Sequence, residues 1–158
     1  MPSEELRKKL QRRKEEAEAA RLIERLGGVR THGYRQDGEM PDWPARALAE
    51  FQRTDSVPAS RIGDEASDDE VDRWIEDFAA EAGIGARFYV RTGMELFPWL
   101  DCAVTGPGWA GSLRQGLGGD LVLLSHDAQT LVVIFEEEYD YQAFRHPQRA
   151  PRPPGDRS

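Results

Sequence analysis

The chain reads as an α+β protein, with a small, mostly antiparallel sheet of about four strands, amphipathic helices on one face of it, and a charged helix in front. Three observations predict this. Apolar residues recur at helical spacing, behind capping residues, in the first half of the chain. After residue 86 the period shortens to that of strands. The two most apolar runs, Leu121–Leu124 and Leu131–Phe135, are strand-length and are separated by the turn-forming His126-Asp127-Ala128-Gln129.

The elements follow in order. Ser3 caps a helix that runs to Leu26, where Gly27-Gly28 stops it, and Glu4 and Glu5 suit the positive end of its dipole. Ala19, Leu22, Ile23 and Leu26 form a burial stripe, whereas Leu6 and Leu10 stand alone, so the first half of this helix is expected to project into solvent. Residues 27–41 read as a linker. Asp42 caps a short helix to Arg53, with Pro44 in its first turn and Trp43, Ala47 and Phe51 on one face. Ser67-Asp68-Asp69-Glu70 is a capping box; Val71, Trp74, Ile75, Phe78, Ala79 and Ala82 follow at helical spacing, and Gly83 ends the helix.

Strands are expected at 86–91, 100–105, 120–125 and 130–136, with a glycine-rich loop between the second and third, and a short helix over 138–145. The apolar runs in the last two strands place them at the sheet centre. Residues 146–158, proline among arginine, read as a disordered tail. The organisation is thus an N-terminal helix (1–26), a linker (27–41), an α+β core (42–145) and a tail (146–158).

Charge is concentrated. Residues 55–82 carry ten acidic and two basic groups, and this surplus equals the formal net charge of −8 for all 158 residues. Met1-Pro2-Ser3-Glu4-Glu5 does not read as a signal peptide, and no apolar run approaches the ~18 residues of a membrane helix. One cysteine, Cys102, rules out an internal disulfide framework. These features predict a cytoplasmic protein.

Motifs that resemble catalytic signatures are incomplete. Gly106-Pro107-Gly108-Trp109-Ala110-Gly111 matches G-x-G-x-x-G, but Gly116, Gly118 and Gly119 leave room for barely two helical turns, and Pro107 lacks an amide. Ser125-His126-Asp127 contains the residue types of a hydrolase triad in consecutive positions, where side chains diverge rather than converge. The acidic residues Asp64 to Asp72 lack the register of a calcium loop. His32, His126 and His146 show no metal-ligand spacing. No catalytic, cofactor-binding or metal-binding residue is assigned, and no cofactor is expected.

The function expected is that of a non-catalytic protein-binding module. Its surface would be the solvent face of the acidic helix (Asp69, Asp72, Glu76, Asp77) and the run Glu136, Glu137, Glu138, Tyr139, Asp140, Tyr141. Carboxylates steer a basic protein partner and tyrosine gives contact area at low entropic cost, as in an immunity-type inhibitor of a basic toxin. An alternative is a small enzyme or ligand binder with its site at the Trp/Gly-rich segment 97–119, around Trp99, Asp101, Cys102 and Trp109. A weaker one is nucleic-acid binding through the block 7–14, six of whose eight residues are basic, though its flanking carboxylates disfavour it. Self-association through the first helix is a further use, although its stripe is shorter than the roughly three heptads a coiled coil needs.

Overall fold

The computed structural model describes residues 3–53, 55–118 and 120–147. Among them the chain forms four α-helices and one antiparallel sheet of seven strands, in the order β1-β4-β3-β5-β6-β7-β2. The strands are β1 (Val29–Arg35), β2 (Ser60–Gly63), β3 (Arg87–Arg91), β4 (Trp99–Val104), β5 (Leu121–Ser125), β6 (Thr130–Glu136) and β7 (Asp140–Pro147). The helices are α1 (Glu4–Arg25), α2 (Trp43–Phe51), α3 (Asp68–Ala82) and α4 (Trp109–Leu117).

The α+β class stands, and the expected strand count does not. The three additional strands have weak local signals. β1 lies in the expected linker; it is an edge strand with few apolar residues, and its register shifts between Thr31 and Tyr34, where Gly33 has φ +93°. β2 has only four residues. β7 replaces the expected helix over 138–145: Tyr141 and Ala143 face one side while Phe144 faces the other, and its pairing with β6 runs from Glu136↔Tyr141 to Thr130↔Pro147. The segment read as a glycine-rich loop contains α4. The tail expected over 146–158 does not begin where expected, since His146 and Pro147 belong to β7, and from position 148 onward it lies outside the described residues.

Helices cover both faces rather than one. On the first face, Leu22 of α1, Val71, Ile75, Phe78 and Ala79 of α3, and Trp109, Ala110 and Leu113 of α4 pack on Phe88, Val90, Leu100, Cys102, Leu121, Leu123, Val132 and Ile134. On the second, Trp43 and Ala47 of α2 meet Trp99, Leu124, Leu131, Val133, Phe135 and Phe144. Burial on both faces explains the unbroken apolar run of β6 in an antiparallel sheet, where one-sided burial would give alternation.

Local chemistry sets α1 and α3, but the expected cap of α2 does not form: Asp42 makes no side-chain bond to that helix's amides and pairs with Arg46 at 3.2 Å instead. Ser67 Oγ accepts from the Glu70 amide and the Glu70 carboxylate accepts from the Ser67 amide, so the expected capping box forms, and Gly83 closes α3 at φ +101°. Trp74 Nε1 donates to Ser60 Oγ at 2.9 Å, tying α3 to β2. Leu6 and Leu10 of α1 are exposed, as expected of its first half. The exception there is Glu15, which is buried and accepts from the amides of Leu96 (2.7 Å) and Glu95 (3.2 Å).

Candidate functional site

Of the two segments expected to bind a partner, the run Glu136–Tyr141 is set by the sheet edge against the corner that precedes the acidic helix, rather than against the helix face itself. Ile62 pairs with Tyr141 and Gly63 with Asp140 across β2 and β7, and the Asp64 amide donates to the Tyr139 carbonyl at 3.1 Å. The Asp64-Glu65 corner, which leads into α3, therefore lies against the β6–β7 turn. Asp120 joins the same edge, its carboxylate accepting from the Glu136 amide at 2.9 Å. The Glu137 amide donates to the Asp140 carbonyl at 2.9 Å, closing the turn and leaving Glu136, Glu137, Glu138 and Tyr139 exposed, Tyr139 at 72%. Asp64, Glu65 and Asp120 belong to this rim and were not singled out for it from the sequence. The place of Asp64 and Glu65 follows from the β2–β7 pairing of distant segments, and that of Asp120 from the register of the β5–β6 hairpin.

The expected residues divide into free and engaged groups. Asp69 and Asp77 are exposed on α3. Asp72 is held inside: Arg114 of α4 donates through Nη1 to its Oδ1 at 2.7 Å, and both side chains are largely shielded. The same guanidinium donates to the Tyr141 hydroxyl at 3.0 Å and lies 5.0 Å from the centre of its ring. Glu76 accepts from the Gly108 amide at 3.2 Å, and burial, with Asp72 and Asp77 nearby, pushes its carboxyl above the usual carboxylate range despite that bond. Asp72, Glu76 and Tyr141 therefore secure the junction of α3, α4 and β7 and do not face outward with the rim. Asp140 accepts from the Gln142 side chain at 3.3 Å and is partly exposed.

Beside Glu137 an open cleft of about 490 Å³ runs between the end of α2 and β7. Phe51, Phe135 and Phe144 floor it, with Arg53, Arg61 and Asp120 at its mouth. The rim thus adjoins an apolar recess.

The alternative site at residues 97–119 is not assembled. The sheet separates its members: Trp99 and Asp101 lie on the α2 side, Cys102 and Trp109 on the side of the other helices. Trp109 fills the core against Phe88, with ring centres 5.0 Å apart. Cys102 is fully buried, and burial, with Asp101 adding, pushes its thiol up to about 12, far from a thiolate nucleophile at neutral pH. The glycines of the G-x-G-x-x-G match serve packing and turning. Gly108 adopts φ +86° at the start of α4, and a Cβ at Gly111 would strike the Asp72 carboxylate.

Ser125, His126 and Asp127 form a turn, as expected. Ser125 Oγ donates to Asp127 Oδ1 at 2.6 Å and accepts from the amides of Gln129 and Thr130. His126 turns away and stacks on Tyr89. The basic block 7–14 lies on the exposed half of α1 with no aromatic residue beside it in sequence. No group of three or more potential metal ligands occurs among the described residues, and no helix there is long and apolar enough to cross a membrane. Comparison with known proteins finds no matching family model, no matching curated protein and no matching solved structure.

Proposed function

We propose that the protein is a non-catalytic binding module that engages a basic protein partner through the acidic rim. The observation that carries this reading is the juxtaposition of Asp64 and Glu65 with Glu136, Glu137, Glu138, Tyr139 and Asp140 across the β2–β7 edge. Carboxylates carried on neighbouring backbone act as one local potential, which speeds encounter with a cationic surface. Tyr139 and the phenylalanine-floored cleft supply the apolar contact that charge alone lacks. Asp69 extends the surface along the start of α3. An immunity-type inhibitor that covers a basic toxin is the concrete form of this reading, and such a module needs a shaped surface rather than a catalytic centre.

The test is affinity capture from native lysate at low salt, with the full chain as bait. A basic protein should be retained, released by added salt, and lost when Glu137→Lys and Glu138→Lys are combined. Retention of no basic protein, or retention indifferent to that charge reversal, would overturn the proposal.

A further inference from the structure

A second charged surface lies on the opposite half of the sheet, on the face that α2 shares. There α2 packs over β6 and β7 and reaches Trp99 of β4, while β1, β3 and the rest of β4 present their own side chains. Strand register places four arginines around one aspartate. Arg30 and Arg87 both sit opposite Ala103; Arg35 and Arg91 both sit opposite Trp99; Asp101 lies midway between these rows on β4. From strand spacing and rise, the frame measures about 10 Å across by about 14 Å along. Two corners on one diagonal fold inward. Arg87 donates through Nε and Nη2 to Asp101 Oδ1 and Oδ2 at 3.1 and 3.0 Å, and Arg35 Nη2 donates to Oδ2 at 3.1 Å. The other diagonal, Arg30 and Arg91, is exposed and takes part in no ion pair among the described residues. His126, 3.7 Å from Asp101, stands at the margin. A protein of net charge −8 thus gathers four guanidiniums around one carboxylate within this frame.

We propose that this face docks a carboxylate-rich segment of a protein partner. Asp101 shows the chemistry within the fold: a guanidinium fork here closes on both oxygens of a carboxylate, the geometry that makes arginine selective for planar anions. Carboxylates on one side of an extended segment recur about every 7 Å, so such a segment laid along β4 meets both rows of the frame. Nucleic acid fits less well, because the rings on this face are already engaged. Tyr89 stacks on His126 with centres 5.2 Å apart, and Trp99 is buried, so bases lack the open platforms they use. The acidic rim does not cancel the patch. Its β2–β7 members lie four strand intervals from β3, about 19 Å, against a screening length of about 8 Å at physiological ionic strength, and its nearest carboxylate, Asp120 just before β5, is engaged by the Glu136 amide.

The proposal is tested by fluorescence anisotropy of a labelled oligo-glutamate peptide titrated with the full chain, beside single-stranded oligo-thymidine DNA. Salt-sensitive binding of the peptide is expected, weakened at least about tenfold in the Arg30→Ala/Arg91→Ala variant at unchanged melting temperature. Should that variant not fold, Arg30→Gln and Arg91→Gln tested singly should each weaken binding severalfold. Glu137→Lys/Glu138→Lys should not weaken peptide binding, so failure here is separable from failure at the rim. Absence of peptide binding, affinity unchanged by the arginine exchanges, or tighter binding of the DNA would overturn the proposal. So would concentration-dependent growth in mass that the Arg30/Arg91 variant abolishes, since a second copy would then occupy the face.

Discussion

Glu15 sits where the solvated first half of α1 gives way to its buried stripe, and its carboxylate is buried against the loop that leads into β4. Burial disfavours its charge, but the amides of Leu96 and Glu95, the Gln11 side chain at 2.6 Å and nearby Lys14 outweigh it and hold the group below the usual carboxylate range. A depressed folded value fixes the sign. The contribution to stability is complete above the ordinary carboxylate range and is lost as pH falls through the lower, folded value. Glu15→Ala should therefore cost about 1–2 kcal/mol at neutral pH, since two amides lose a charged acceptor. Melting curves should show the gap between variant and parent closing as the pH falls below the ordinary carboxylate range. A gap that widens in acid would contradict this assignment. In sequence Glu15 is one of several carboxylates following Lys14, and nothing local distinguishes it.

Among the elements, α3 is the one whose local chemistry and tertiary role agree most closely. The Ser67–Glu70 box starts it, Gly83 ends it, and its apolar stripe is the stripe that packs. Ser67→Ala should destabilise the protein by about 1 kcal/mol, read as a lowered denaturation midpoint at unchanged slope. An unchanged midpoint would mean that packing alone sets the helix start. For α4 the balance is reversed. Its glycines argue against a helix by propensity, but Gly111 allows Asp72 of α3 to approach, and Arg114 then clamps that carboxylate to Tyr141 of β7. The helix exists because of its neighbours, which explains why the segment reads as a loop.

Taken whole, the molecule separates its charges, with carboxylates at the β2–β7 edge and the start of α3, and guanidiniums on the outer face of β1, β4 and β3. Like charges gathered at one edge repel, so the rim works against folding. Replacing Glu137 and Glu138 with glutamine should leave the melting temperature unchanged or raise it slightly, while weakening capture of a basic partner. A marked fall in melting temperature would show that these carboxylates support the fold instead. Carboxylates retained at a cost in stability are those expected to serve binding.

Periodicity and caps are properties of neighbours along the chain, and they sufficed for the α+β class, for α1, α2 and α3, for the two apolar strands and for the turn between them. The segregation of acidity into residues 55–82 and 136–140 was equally legible, because composition needs no fold. Other features depend on partners far away in the chain. β1 and β2 are strands because β4 and β7 supply their hydrogen bonds, and β7 extends β6 rather than coiling. The same pairing made Asp64 a neighbour of Tyr139, drew Asp72, Glu76 and Tyr141 inward, and divided Trp99 from Trp109 by the thickness of the sheet. The arginine frame is the clearest case: its corners come from two strands separated by over fifty positions, and only antiparallel register around β4 sets them about one carboxylate. Local pattern records which residues are able to be buried or charged together; edge pairing and register, which join distant segments, decide which of them meet.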